Sequence, residues 1–200
     1  MRIFRHLLLL AVVLGTSIAR ADDWGQWRGP LQNGIAPGEG FPLRWSEDEI
    51  ILWKVSLPGW GTSTPAIWGE QIFVTTTIEA ANGLICLNRA GQEQWRITLA
   101  KAPENRNRKA SAANPSPVTD GTNVYVYYKS GDLACVDFDG QIVWQSNLQR
   151  EYGEDRLNWD LGTSPVLTSN AVVVAVMHQG PSYVVALDRA TGEVLWRQQR

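Results

Sequence analysis

From residue 50 onward the chain alternates short β-branched or apolar runs with tight polar turns. Ile72-Phe73-Val74-Thr75-Thr76-Thr77 and Val172-Val173-Val174-Ala175-Val176 are the clearest runs, and Gly, Asn, Asp and Pro separate them from their neighbours. Such runs, bounded by turn residues and without a 3.6-residue period, predict β-strands. Helix-period stretches are hard to find in the mature chain, so the expected class is all-β.

The strands recur in a register. Four segments end alike: Leu52-Trp53-Lys54, Gln94-Trp95-Arg96, Val143-Trp144-Gln145 and Leu195-Trp196-Arg197, with tryptophans 42, 49 and 52 residues apart. Gly91, Gly140 and Gly192 each stand four residues before one of the last three. A glycine at that spacing marks a tight hairpin, with the tryptophan in the strand that leaves it. Unit starts also align, at Ser63-Thr64-Pro65, Pro115-Ser116-Pro117 and Thr163-Ser164-Pro165, the prolines lying 52 and 48 residues apart. Two strands follow each proline, as in 118–127. A third follows at 84–87, 133–136 or 183–187, and the glycine turn and tryptophan strand close the unit. Four antiparallel strands per roughly 50 residues is the size of a propeller blade.

These residues resemble a known family. Ala186-Leu187-Asp188-Arg189-Ala190-Thr191-Gly192-Glu193-Val194-Leu195-Trp196 is similar to the repeat of pyrroloquinoline-quinone (PQQ) type β-propellers, with its Ala-x-Asp-x-x-x-Gly-x-x-x-Trp docking pattern. Quinoprotein alcohol dehydrogenases and the BamB-like proteins share that fold. In the first two units the turn is one residue shorter, and Cys86 and Cys135 stand where the third has Ala186. A twisted sheet cannot bury both faces alone, so Trp53, Trp95, Trp144 and Trp196, with Gly91, Gly140 and Gly192, are expected to dock blade on blade rather than bind a ligand. The resemblance implies a propeller over 50–200: three blades plus a leading strand around Trp53, which in closed rings completes the last blade. The expected whole is an eight-bladed ring of which this sequence is an N-terminal part.

Residues before 50 divide in two. Arg2, Arg5 and His6, an apolar stretch over 7–14, and Ala19-Arg20-Ala21 have the layout of a signal peptide over 1–21, with cleavage near Ala21. No lipid-accepting cysteine follows, so a periplasmic or secreted protein without a lipid anchor is expected. No later segment approaches the ~20 apolar residues of a membrane helix. Residues 22–49 open on Trp24-Gly25-Gln26-Trp27-Arg28-Gly29-Pro30 and read as an irregular arm, similar to the opening of secreted bacterial proteins of this class.

Charge excludes one class of partner. Removal of Arg2, Arg5 and Arg20 with the signal leaves 15 basic against 20 acidic residues, a net charge of −5. Scattered charge of that sign gives no nucleic-acid footprint. Chemistry-bearing motifs are sparse. Cys86 and Cys135 occupy equivalent places in successive blades, roughly 10 Å or more apart, beyond the ~7 Å reach of a disulfide, and are expected as buried thiols. His178 stands alone in a strand-end loop, no metal site is expected, and no catalytic residue is assigned. Repetition of the Ser-x-Pro triplet marks a strand-start turn, not a nucleophile.

Function is expected in the loops that lead into each first strand, because propeller ligands bind where those loops meet. Trp60 and Thr62, Arg108 and Lys109, and Asn158, Trp159 and Asp160 are corresponding positions. Their indoles offer stacking faces and the others polar contacts, set against the alternative that both indoles pack beneath the loops. The resemblance implies two functions. The first is a non-catalytic scaffold similar to BamB, binding a protein or extracellular ligand with no cofactor. The alternative is a PQQ- and calcium-dependent dehydrogenase of alcohols or sugars, with Asp160 its one candidate carboxylate; no Cys-Cys pair of the quinoprotein kind is present.

Overall fold

The structure is a computed structural model that describes residues 23–46, 48–104, 109–156, 162–177 and 180–200. Among these, twelve strands form three four-stranded antiparallel sheets, each a meander in chain order. Blade one holds β1 (Ala66–Trp68), β2 (Gln71–Ile78), β3 (Ala81–Asn88) and β4 (Glu93–Lys101). Blade two holds β5 (Val118–Thr119), β6 (Asn123–Tyr127), β7 (Asp132–Asp137) and β8 (Ile142–Asn147). Blade three follows a one-turn helix α1 (Leu148–Tyr152) and holds β9 (Val166–Leu167), β10 (Ala171–Val176), β11 (Tyr183–Asp188) and β12 (Val194–Gln199). These are three blades of a β-propeller. The short first strands β1, β5 and β9 are neighbours and line its centre.

Period-two alternation assigns each face of a sheet to a different neighbour. In β6, Val124 and Val126 face blade one, where they pack with Phe73, Leu84 and Cys86. Tyr125 and Tyr127 point the other way, into a cluster with Val172, Val174, Val185 and Leu187 of blade three. Burying such a side chain contributes about 1.5–3 kcal/mol. Both faces are apolar, which is why the central strands read as nearly continuous hydrophobic runs.

Three of the tryptophans, Trp53, Trp95 and Trp144, lie on a turn of the following blade. Indole Nε1 of Trp53 donates to the carbonyl of Arg89 (2.7 Å), that of Trp95 to Phe138 (2.8 Å), and that of Trp144 to Arg189 (2.9 Å). Each acceptor belongs to the third-to-fourth strand turn of the next blade, and each ring lies over that turn's glycine. A Cβ built on Gly91, Gly140 or Gly192 would come within 2.6, 2.9 or 2.6 Å of the ring, and all three glycines have φ between +75° and +86°. Glycine is thus required twice over, for its backbone conformation and for its missing side chain. The shorter turns of blades one and two dock in the same way. Asn88, Asp137 and Asp188 begin the three turns with side chains that accept backbone N–H groups two residues on, at 2.8–3.0 Å. The acceptor carbonyl comes next in each, so the extra residue of blade three falls beyond it. Cys86, Cys135 and Ala186 lie across the ladder from Trp95, Trp144 and Trp196, where a small side chain leaves room for the indole.

Two features depart from expectation. Trp53 docks on blade one, yet no strand is assigned over 51–57. A strand exists by backbone pairing with a neighbour, and no ladder forms there among the described residues. Helix α1 was not anticipated; Asn147 caps it by accepting the Arg150 N–H at 2.8 Å, and five residues are too few to show a period. No helix among the described residues is long and apolar enough to cross a membrane.

A polar tie joins blades two and three beside the Trp144 dock. Arg189 pairs with Asp120, whose other oxygen accepts the N–H groups of Asn123 (2.8 Å) and Thr122 (2.9 Å). Burial pushes the Asp120 carboxyl up, but the two backbone donors and the guanidinium outweigh it and hold the group below the usual carboxylate range. A lowered folded value contributes stability above the ordinary value of about 3.9, and that contribution is lost as pH falls through the folded value. In urea unfolding followed across acid pH, Asp120→Asn is expected to flatten the loss of stability below about pH 4; an unchanged slope would remove Asp120 from the account. In the same assay at neutral pH, Trp144→Ala is expected to cost about 3 kcal/mol and Gly140→Ala about 1–2 kcal/mol.

Candidate functional site

The loop leading into blade one is held by close backbone approach. Gly59 and Gly61 run against β2 so tightly that a Cβ on either would collide with the carbonyl of Thr77 or Thr75. Thr77 Oγ1 accepts the Trp60 N–H at 3.0 Å, and Ser63 Oγ donates to Thr75 O at 3.3 Å. With its backbone pinned, Trp60 presents an indole that is 50% exposed, so it does not pack beneath the loop.

Of the other predicted loop residues, Thr62 and Lys109 are exposed. Arg108, Asn158, Trp159 and Asp160 lie outside the described residues, as does His178. Thr62 donates its hydroxyl to Asn114 Oδ1, the same oxygen that accepts the Ser111 N–H (2.7 Å) and hydroxyl (3.1 Å). Asn114 thus joins the loops of blades one and two. Sequence reasoning missed it, although Asn two residues before a Ser-Pro is a plausible turn former.

The Ser-Pro positions form a second blade-to-blade connection. Ser116 Oγ accepts the Thr64 N–H at 2.9 Å, and Ser164 Oγ accepts the Ser116 N–H at 3.0 Å. Each pre-proline hydroxyl therefore serves the preceding blade, which gives the repeated serine a structural role on the channel wall.

The N-terminal arm is irregular, as expected, but it is built into the centre. Trp24 and Ile67 exchange both backbone hydrogen bonds at 2.9 Å, Gly25 O accepts the Thr119 N–H at 2.8 Å, and Asp23 Oδ1 accepts the Gly69 N–H at 2.7 Å. The arm closes the inner edges of β1 and β5 and carries Trp27, 58% exposed, beside the blade-three start. The sequence signal was the tight Trp24-Gly25 pair: a Cβ on Gly25 would lie 3.2 Å from Thr119 O.

Calcium takes six to eight oxygen ligands. Among the described residues no three His, Cys, Asp or Glu side chains converge on one point. The described residues do not make a calcium site, and no step is derived through PQQ or calcium. Both cysteines are buried and free. Burial pushes the Cys86 thiol up to about 11 and the Cys135 thiol up to about 12, which suppresses the reactive thiolate.

Three meander blades, docked through tryptophan on glycine and joined at Ser-Pro, define a propeller of the PQQ-repeat class. The chain belongs to the family described as outer membrane protein assembly factor BamB, whose model matches residues 44–200. No curated protein matches the chain. Among solved structures it is similar to quinohemoprotein alcohol dehydrogenase from Comamonas testosteroni, at 18% identity and TM-score 0.55 over 71% of this chain and 21% of that one. It is also similar to the quinohemoprotein alcohol dehydrogenase ADHIIG of Pseudomonas putida HK5, at 22% identity and TM-score 0.54 over 74% and 22%. BamB from Moraxella catarrhalis aligns at 23% identity and TM-score 0.44 over 65% and 33%. The chain spans about a fifth of the length of the two dehydrogenases, and likeness at this identity speaks for the fold alone.

Buried thiols should resist iodoacetamide in the native protein at pH 8 and react together in urea. Rapid native labelling, or a Cys86–Cys135 link in non-reducing mass mapping, would contradict the blade register.

Proposed function

We propose that the chain is part of an exported, non-catalytic propeller that presents its blade-leading loops to a protein or extracellular ligand. The carrying observation is the hydrogen-bonded tie between the loops of blades one and two, beside an exposed Trp60. Asn114 ties Thr62 to Ser111, and the glycine-pinned backbone holds the Trp60 indole half in solvent. A rigid, exposed aromatic on a tied loop suits recognition, because little side-chain freedom is lost on binding. Membership in the BamB family supports the same reading. So does the arm, which pairs with the inner strands and stiffens the centre. Arg108, Asn158, Trp159 and Asp160 are proposed as further ligand-contacting residues on their loop sequence alone, and nucleic acid is not a proposed partner.

Export rests on the N-terminal sequence, with its basic start, short apolar stretch and Ala19-Arg20-Ala21. The proposed location is the periplasm or exterior.

Titration of the intact protein with PQQ and calcium, followed by tryptophan fluorescence and then dye reduction with alcohols and aldoses, decides between binding and redox function. No saturable quenching and no turnover is the expected result. Tight PQQ binding with turnover would establish the dehydrogenase reading instead.

A further inference from the structure

A concavity lies between the N-terminal arm and the first strands of the three blades. The arm folds back on itself after Gly29 and, with the three first strands, encloses a cleft of about 580 Å³. Its walls come from distant parts of the sequence: Trp68 in β1, Val118 in β5, Leu167 in β9, and Pro30 and Leu31 in the arm. That volume lies within the usual range of small-molecule sites, which are mostly apolar with a few placed polar groups.

The polar groups are also few and of one kind. Asp23 is the one charged residue among the described residues lining the cleft, and Gln26 and Gln32 add side-chain amides. Asp23 is fixed in place, because its Oδ1 accepts the Gly69 N–H at 2.7 Å. The arm itself is pinned by the Trp24–Ile67 pair and by Gly25 O. Trp68 is oriented by contact: a Cβ on Gly121 would lie 2.5 Å from its ring, so the indole rests on that glycine with 36% of the residue still exposed. The site is therefore preformed, with an aromatic surface, aliphatic walls and a held carboxylate.

We propose that this cleft binds a compact ring-bearing small molecule that is neutral or carries a single positive charge. The aromatic and aliphatic walls take the ring, the glutamine amides orient it, and the Asp23 carboxylate favours a cationic substituent and disfavours an anionic one. This names a ligand class for the non-catalytic binding reading and rests on it. A failure here leaves the outcome of the PQQ titration as it was, so the two readings fail separately.

Three probes that share one ring and differ in charge test the proposal: indole, tryptamine and indole-3-acetate, each titrated against the intact protein by saturation-transfer NMR. Indole and tryptamine should bind saturably, tryptamine roughly two- to fivefold more tightly, the advantage of an exposed ion pair, and indole-3-acetate most weakly. Asp23→Asn keeps the acceptor for Gly69 and should abolish the tryptamine advantage while leaving indole binding unchanged. Leu167→Trp fills the cleft and should remove all three signals. Leu31→Arg, at a position 70% exposed and so tolerant of change, should weaken tryptamine more than indole. The proposal is overturned if no probe shows saturable transfer, if the ranking survives Asp23→Asn, or if neither Leu167→Trp nor Leu31→Arg alters binding.

Discussion

The fold depends on one repeated contact, an indole laid on a glycine of the next blade with its N–H on a carbonyl of the same turn. A four-stranded sheet has two apolar faces and can solvate neither. The tryptophan fills the widening gap between neighbouring sheets, where a smaller residue would leave a void. Its hydrogen bond fixes the rotation of each blade against the next, since the donor has one direction and the acceptor belongs to an Asx-closed turn. The Ser-Pro hydroxyls repeat this control at the channel wall. Each blade interface is thereby held at two radii, and sliding one sheet past another breaks both connections.

That rigidity places the functional surfaces. The loops of blades one and two lie beside each other because their sheets are locked, and Asn114 converts that adjacency into a bonded surface. In the channel, first strands that are too short to cover the centre leave β1 and β5 edges open, and the arm completes them with backbone hydrogen bonds of its own. An unpaired inner edge would be a template for unwanted strands. Sealing it with a segment of irregular conformation also leaves a cleft between the arm and the first strands, with Leu167 of β9 in its wall.

Chemistry is subordinate to packing throughout the described residues. The two thiols sit across from docking indoles, where burial removes their reactivity. The Asp120–Arg189 pair ties an inner turn to the turn that accepts Trp144. What remains available is surface of aromatic character: Trp60 on the loops and Trp68 in the cleft.

The sequence by itself determined the fold class, because that depends on local chemistry. Strand runs have a period, turn glycines have a fixed distance to the tryptophan, and Ser-Pro marks the start of each unit. It also showed that Cys86 and Cys135 would stay apart, since equivalent repeat positions are separated by a blade spacing. Tertiary structure alone decided the rest. That the serine hydroxyl serves the preceding blade, that Asn114 joins two loops, and that Trp24 and Gly25 pair with β1 and β5 all involve partners some 40 to 95 residues away in the chain, which no local pattern identifies. Residues 51–57 have the composition of a last strand yet form no ladder among the described residues, because strand character is a property of the pairing and not of the segment. Helix α1 depends on one cap and a short insertion, too little signal to read before the blades were in place.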